Sequence, residues 1–284
     1  MITRRKTIFA AAALLSAGFA LAANAQSTLD RARQDGFLRV GFPNQVPYAY
    51  ANERGQLTGA DAAVARLVVK KMGIAEMDGV LTEFASLIPG LKAKRFDVVL
   101  AMFVNPQRCA QVFFSEPIYK IGQAIAVRQG NPKKVTGWND LVSRDDVKLA
   151  IMAGAVQASY LKKLGVADAR VSAFPDGPSA MAAVATGRAD AFAISDLPAR
   201  RLVEAMGASG GVELVKGVAD PTIDGRPGRG YSAFAFRPED ESLRVAFNAA
   251  LAEVKKSDEF LAAMTPFGFT KENLPDLTTA ELCR

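Results

Sequence analysis

Arg108 follows Phe103 by five residues and lies beside the Asn105-Pro106 pair that opens a helix. Its planar guanidinium fork is suited to gripping a carboxylate. Three other loops carry residues unusual for plain connectors. Pro43-Asn44-Gln45-Val46-Pro47-Tyr48 is a rigid stretch presenting an amide and an aromatic ring, and Glu83-Phe84-Ala85-Ser86 presents a second ring. Ala153-Gly154-Ala155-Val156-Gln157 places small residues at a helix N-terminus, where backbone N–H groups and the helix dipole favour an anion. Tyr48, Phe84 and Phe103 together make an aromatic enclosure for a flat or cationic group. Each aromatic alone is more often core than ligand wall, and a lone arginine is more often a surface group. Their joint placement after successive strand ends favours a pocket, because ligands of open α/β sheets bind at those ends.

The pocket chemistry is that of holding a molecule, not of transforming one. The chain contains no histidine, which removes Ser-His-Asp and Cys-His nucleophile systems and every His-ligated metal site. Gly207-Ala208-Ser209-Gly210-Gly211 matches G-x-S-x-G, yet no base is present to activate the serine and no strand leads into it. Ser159 and Lys162 match S-x-x-K without the companion motifs, and read as helix surface. No phosphate loop, dinucleotide fingerprint or calcium loop occurs, so neither cofactor nor metal is expected.

The elements that must position these loops alternate. Leu38 to Phe42 reads as a strand, and Gly59 to Met72 as a helix with apolar residues at Ala60, Val64, Leu67, Val68 and Met72. Phe96 to Met102 is a nearly continuous apolar run, as in a strand covered on both faces. Strands over Lys148–Met152, Arg170–Phe174 and Asp190–Ile194 alternate with helices starting near Ala155 and Pro178. A long helix from Pro238 aligns Leu243, Phe247, Leu251 and Val254. Such alternation predicts an α/β fold with mostly parallel sheets between helices.

Residues 1–25 read as a signal peptide, with Arg4, Arg5 and Lys6 before an apolar run and a cleavage signal at Ala23-Asn24-Ala25. Removing them lowers the formal charge from +6 to +3. With no long like-charge block and no aromatic-basic face, nucleic acid is not an expected partner. The remaining chain suffices for two domains, and no linker separates them. If it crosses between lobes near Ser115–Tyr119 and again near Gly230–Phe234, residues 26–121 and 229–284 form one lobe and 122–228 an inserted second one, with a two-stranded hinge. In an exported chain the two cysteines, Cys109 and Cys283, suggest a disulfide, with two buried thiols as the alternative.

The run from Leu81 through Asp97, together with Arg108, Phe114-Ser115-Glu116-Pro117, Gly187-Arg188-Ala189-Asp190-Ala191 and Gly230–Arg237, resembles the family 3 solute-binding proteins of polar amino-acid ABC importers. The resemblance spans nearly all of the chain after residue 25. It implies a type II periplasmic-binding fold, a periplasmic monomer, a small zwitterionic ligand and an inner-membrane permease partner. Pro47-Tyr48-Ala49-Tyr50-Ala51-Asn52, Arg108-Cys109, Phe174-Pro175-Asp176, Ile223-Asp224-Gly225 and the ending Thr278–Cys283 are similar to the ectoine/hydroxyectoine-binding branch. By that resemblance Arg108 holds a carboxylate while Tyr48, Phe84 and Phe103 enclose a cationic ring. General amino-acid binders carry an ammonium-holding aspartate where Ser195 stands. Three positions depart from the ectoine pattern: Gln45 and Gln157 replace acids, and Ala155 replaces a threonine. A polar amino acid or another compatible solute is the alternative ligand. A cyclohexadienyl-dehydratase-like enzyme is the alternative from another class.

Overall fold

The computed structural model describes residues 26–284; the expected signal peptide, 1–25, lies outside the described residues. In chain order the strands of the two main sheets are β1 (Phe37–Phe42), β2 (Glu76–Leu81), β3 (Val98–Phe103), β4 (Phe113–Phe114) and β5 (Tyr119–Ile121). They continue with β6 (Gln123–Arg128), β7 (Leu149–Met152), β8 (Val171–Phe174), β9 (Ala191–Ser195), β10 (Val212–Leu214) and β11 (Gly230–Phe236). The first sheet runs β2-β1-β3-β11-β4, with β5 also on β11; the second runs β8-β7-β9-β6-β10.

Both sheets are mixed, and they are mixed in the same way. β1 lies parallel to β2 and β3, whereas β11 is antiparallel to β3, β4 and β5. β7 lies parallel to β8 and β9, whereas β6 is antiparallel to β9 and β10. The parallel trios come from strand–helix alternation. The antiparallel members β6 and β11 enter their sheets directly from a crossing, with no helix to turn them round.

One crossing passes from β5 through Gly122 into β6, and the other returns into β11 at Gly230. Asp220 ties the two together: its carboxylate accepts the Gln123 N–H at 2.8 Å and the Arg229 Nε–H at 2.8 Å. A Cβ on Gly122 would sit 3.0 Å from that carboxylate, so a larger residue there would push the Asp220 side chain by a few tenths of an ångström.

β3 is buried along its whole length, as its apolar run predicts. Val98 and Leu100 face the cluster of the helices Ala60–Lys71 and Glu241–Lys255, and Val99 and Met102 face Leu87 and Leu91. The Leu243, Phe247, Leu251 and Val254 stripe is buried as expected. That helix starts at Glu241, after a 3-10 turn over Pro238–Asp240 that brings Asp240 against Arg237. β2 gave little sequence signal because it is a mostly solvent-facing edge strand.

Candidate functional site

The C-terminal end of β3 aims its residues at the cleft between the sheets. Asn105 caps the short helix Pro106–Cys109, its Oδ1 accepting the Arg108 N–H at 2.8 Å, and Pro106 supplies a pre-set first turn. This fixes Arg108 at the cleft floor with 6% of its surface exposed. Its guanidinium donates to the Phe103 carbonyl at 2.5 Å and, across the cleft, to the Gly154 carbonyl at 2.9 Å. The Phe84 ring lies 5.3 Å from its central carbon. Burial lowers the Arg108 pKa to about 10, slightly opposed by the Tyr160 hydroxyl, and no carboxylate contributes. Arg108 therefore stays protonated at neutral pH, as a buried cation with dipoles and a π face around it but no counter-ion among the described residues.

A small cavity beside it is lined by Gln45, Phe84, Phe103 and Arg108 from the first sheet's side and by Met152, Ala155, Val156, Gln157, Ile194 and Ser195 from the second's. Its walls stand close, leaving about 20 Å³ for the centre of a water-sized sphere. Seven of the eight residues named from the sequence thus meet around one space. The eighth, Tyr48, stands behind Phe103, its ring 5.9 Å away edge-on, and stacks on Tyr119 at 5.4 Å. Gly230 makes this packing feasible, since a Cβ there would come within 2.3 Å of the Phe103 ring.

The far end of the cavity is neutral and polar. Gln157, at the start of the helix Val156–Lys163, donates to Gln123 Oε1 at 2.7 Å and lies 3.5 Å from the Ser195 hydroxyl. Gln123 Nε2 and the Tyr48 hydroxyl are buried with no hydrogen-bond partner among the described residues. Burial raises the Tyr48 pKa well above its ordinary value; Ser195 opposes this from nearby, without reaching hydrogen-bond geometry. Two buried donors left open are costly, and both belong to residues packed behind the cavity's lining.

Sequence reasoning missed three contributors. Gln123 was signalled only as a polar residue opening the apolar run Ala124–Val127. Ala101, in the cavity wall, has φ +57, and its N–H donates to buried Asp61 at 3.1 Å. Asp61 also accepts from Tyr119 on β5 and Ser232 on β11, each at 2.8 Å, so one carboxylate joins both crossing strands to the wall. Burial raises its pKa to about 6 against these hydrogen bonds.

Cys109, adjacent to Arg108, is bonded to Cys283 (S–S 2.01 Å), which anchors the C-terminal segment to the arginine's own helix.

Comparison with known proteins identifies the family. The sequence model for bacterial extracellular solute-binding proteins, family 3, matches residues 38–269. A probable amino-acid ABC transporter periplasmic-binding protein, y4tE, of Sinorhizobium fredii is 39% identical over 262 residues, covering 90% of this chain and 86% of that protein. The L-cystine-binding protein TcyJ of Escherichia coli is 26% identical, over 81% of this chain and 82% of its own. Among solved structures, EhuB in complex with hydroxyectoine superposes with a TM-score of 0.82 at 31% identity, covering 91% of this chain and 99% of EhuB. The ancestral amino acid-binding protein AncCDT-1, a precursor of cyclohexadienyl dehydratase, gives a TM-score of 0.71 at 28% identity, over 85% of this chain and 99% of its own. The relatives are named as binding proteins of transporters or of amino acids. With its type II periplasmic-binding architecture, the chain is a non-enzymatic member of the bacterial extracellular solute-binding proteins, family 3.

Proposed function

We propose that this protein is the periplasmic substrate-binding component of an ABC importer and captures a small ectoine- or hydroxyectoine-like zwitterion. The observation that carries the reading is Arg108, a buried cation without a counter-ion at the floor of an aromatic-walled cavity. A carboxylate there would form a charge-assisted, bidentate pair in a desolvated setting. Phe84 and Phe103 offer π faces to a delocalised positive charge. The similarity to EhuB, whose structure holds hydroxyectoine, supports the same class.

In this reading residues 26–121 with 229–284 move as one lobe and 122–228 as the other, hinged at the two crossings tied by Asp220. The protein works as a monomer, is exported by cleavage after Ala25, and hands its solute to a membrane permease. A polar amino acid is the second reading, favoured by the neutral amides Gln157 and Gln123 at the far end. There they meet neutral polar groups as readily as a charge.

A thermal-shift series with ectoine, hydroxyectoine, glycine betaine and polar amino acids tests both readings. A ligand at a hundred times its Kd stabilises by about 2.7 kcal/mol, and hydroxyectoine is expected to give the largest shift. A larger shift with a polar amino acid would replace the ectoine reading by the second. Small-angle scattering is expected to show a smaller radius of gyration with the solute bound, and superimposable curves would reject hinge closure.

A further inference from the structure

The small cavity at Arg108 does not end at its inner walls. Gln45, Phe84, Met152 and Ile194 also line a second space that opens outward between the two sheets. By the same measure that gives about 20 Å³ for the inner cavity, this outer chamber holds about 910 Å³. Its walls come from both sides of the cleft, so it stays open while the inner walls are in contact. Pro43, Pro175, Pro178 and Pro198 contribute to them, which restricts the backbone of each wall. Much of the rest is hydrocarbon. Val46 and Leu81, exposed at 40% and 52%, are two of the five large apolar side chains left in solvent among the described residues, and both line this chamber.

An apolar wall continuous with a buried anion site has a specific use. We propose that the outer chamber is a second subsite that takes an apolar chain attached to the solute's carboxylate-bearing head. The ligand class would then extend from compact zwitterions to zwitterions bearing a short acyl or alkyl chain. The proposal rests on reading Arg108 as the carboxylate anchor. The chain would run out past Phe84 and Met152, cover Leu81 and Val46, and remove hydrocarbon from water on both partners. Because the chamber persists beside the closed inner walls, such a chain does not oppose closure. Three acidic residues also line it: Glu83, which is exposed, Asp176, which caps the helix Gly177–Ala185, and Glu204, which is paired with Arg201 at 2.9 Å.

The test needs only a carboxylate and a chain, so straight-chain monocarboxylates from acetate to octanoate serve as probes. Their affinities are measured by titration calorimetry at constant ionic strength on the full protein and on the variants Ala205→Trp, Leu81→Asp and Arg108→Ala. Ala205 is exposed on the chamber wall, where a tryptophan would fill the space; an aspartate at Leu81 would make its mouth polar. Affinity is expected to rise by up to about fourfold per methylene until the chamber is full. That rise is expected to disappear in both chamber variants, and every probe is expected to weaken in Arg108→Ala. A flat series, or a rise that survives both chamber variants, would overturn the proposal and leave the chamber as the solvent entrance of the cleft. Hydroxyectoine titrated in parallel judges the compact-zwitterion reading separately. A rising series without hydroxyectoine binding would remove that reading and keep the chamber.

Discussion

Two arginines are buried to nearly the same degree in this protein and are treated in opposite ways. Arg237, 2% exposed, lies at the end of β11, ion-paired with Asp97 at 3.3 Å and with Asp240, and donates to the carbonyls of Leu91 and Phe96. Asp97 also receives Arg31 at 2.7 Å and Arg39 at 3.1 Å. Burial would raise the Asp97 carboxyl, but the hydrogen bonds and charges of Arg39 and Arg31 outweigh it and hold it below its ordinary value. Arg108, 6% exposed, has two carbonyls and a ring but no acid among the described residues. Away from the cleft the scaffold neutralises its buried charge internally. At the cleft it leaves one charge without an acid among the described residues, and in the proposed function the solute's carboxylate meets that charge. A buried charge is tolerable in the first setting and informative in the second.

The largest expected effect is on stability, at Arg237. Arg237→Ala strands the buried Asp240 carboxylate, while Asp97 keeps Arg31 and Arg39, and is expected to cost about 3–5 kcal/mol in urea unfolding, with solute affinity unchanged well below the unfolding midpoint. Arg108→Ala is expected to do the reverse. Solute binding should fall by about 2–5 kcal/mol, about thirtyfold or more, while the solute-free protein keeps its stability, since no ion pair is broken. If the two variants lose stability alike, the distinction between scaffold and site arginines fails.

Two carboxylates sharpen the same contrast through pH. Asp61 is held by neutral donors and its folded pKa is raised to about 6 from 3.8, so the folded state binds the proton more tightly than the unfolded chain. Its contribution is greatest below about pH 4, declines as pH rises to about 6, and is flat above, a change of up to about 3 kcal/mol. Asp97 is depressed, so its contribution is present above its ordinary pKa of 3.8 and is lost as the solution is acidified below that. Unfolding free energies across pH 3–7 are expected to show the pH 4–6 decline in wild type and not in Asp61→Asn. A decline that persists in the variant would assign it to another group.

The smallest expected effect concerns the cavity's one amide from the first loop. Gln45→Glu is expected to tighten hydroxyectoine binding by about 1–2 kcal/mol, because a carboxylate would face the ring's positive charge, less the cost of burying it. For a solute with a neutral end the same change should weaken binding by a similar amount, since the new carboxylate would be desolvated without a partner. Calorimetry showing no change with either kind of solute would mean that Gln45 does not face the ligand, although it lines the cavity.

Much of this was legible before any coordinates. The alternation of apolar runs and amphipathic segments gave the strands β1, β3, β7, β8 and β9 and the helices between them, because burial on one face or two writes a period into the chain. The loops at the strand ends, and Arg108 in one of them, could be named because element order alone puts those ends together. The cysteine pair followed from the export signal and an even count, and the structure bonds it. Less visible were β2, an edge strand with few buried positions, and β6, which enters its sheet without a helix before it.

What the sequence could not supply was partnership. Arg108 and Arg237 both read as isolated arginines next to a strand; what separates them is that Asp97, 140 residues from Arg237, is brought to one and to no position near the other. Gln123 reaches Gln157 from 34 residues away, and Asp61 meets Ser232 from 171. Tyr48, named as a wall, became the backing of Phe103 because stacking on Tyr119 buries it more fully. A periodic pattern records which face of an element is buried, and that is a local property. Which charge or donor meets which depends on strand order and register across two crossings, and only the tertiary structure decides those, because the energy of each pairing lies in a contact between distant segments.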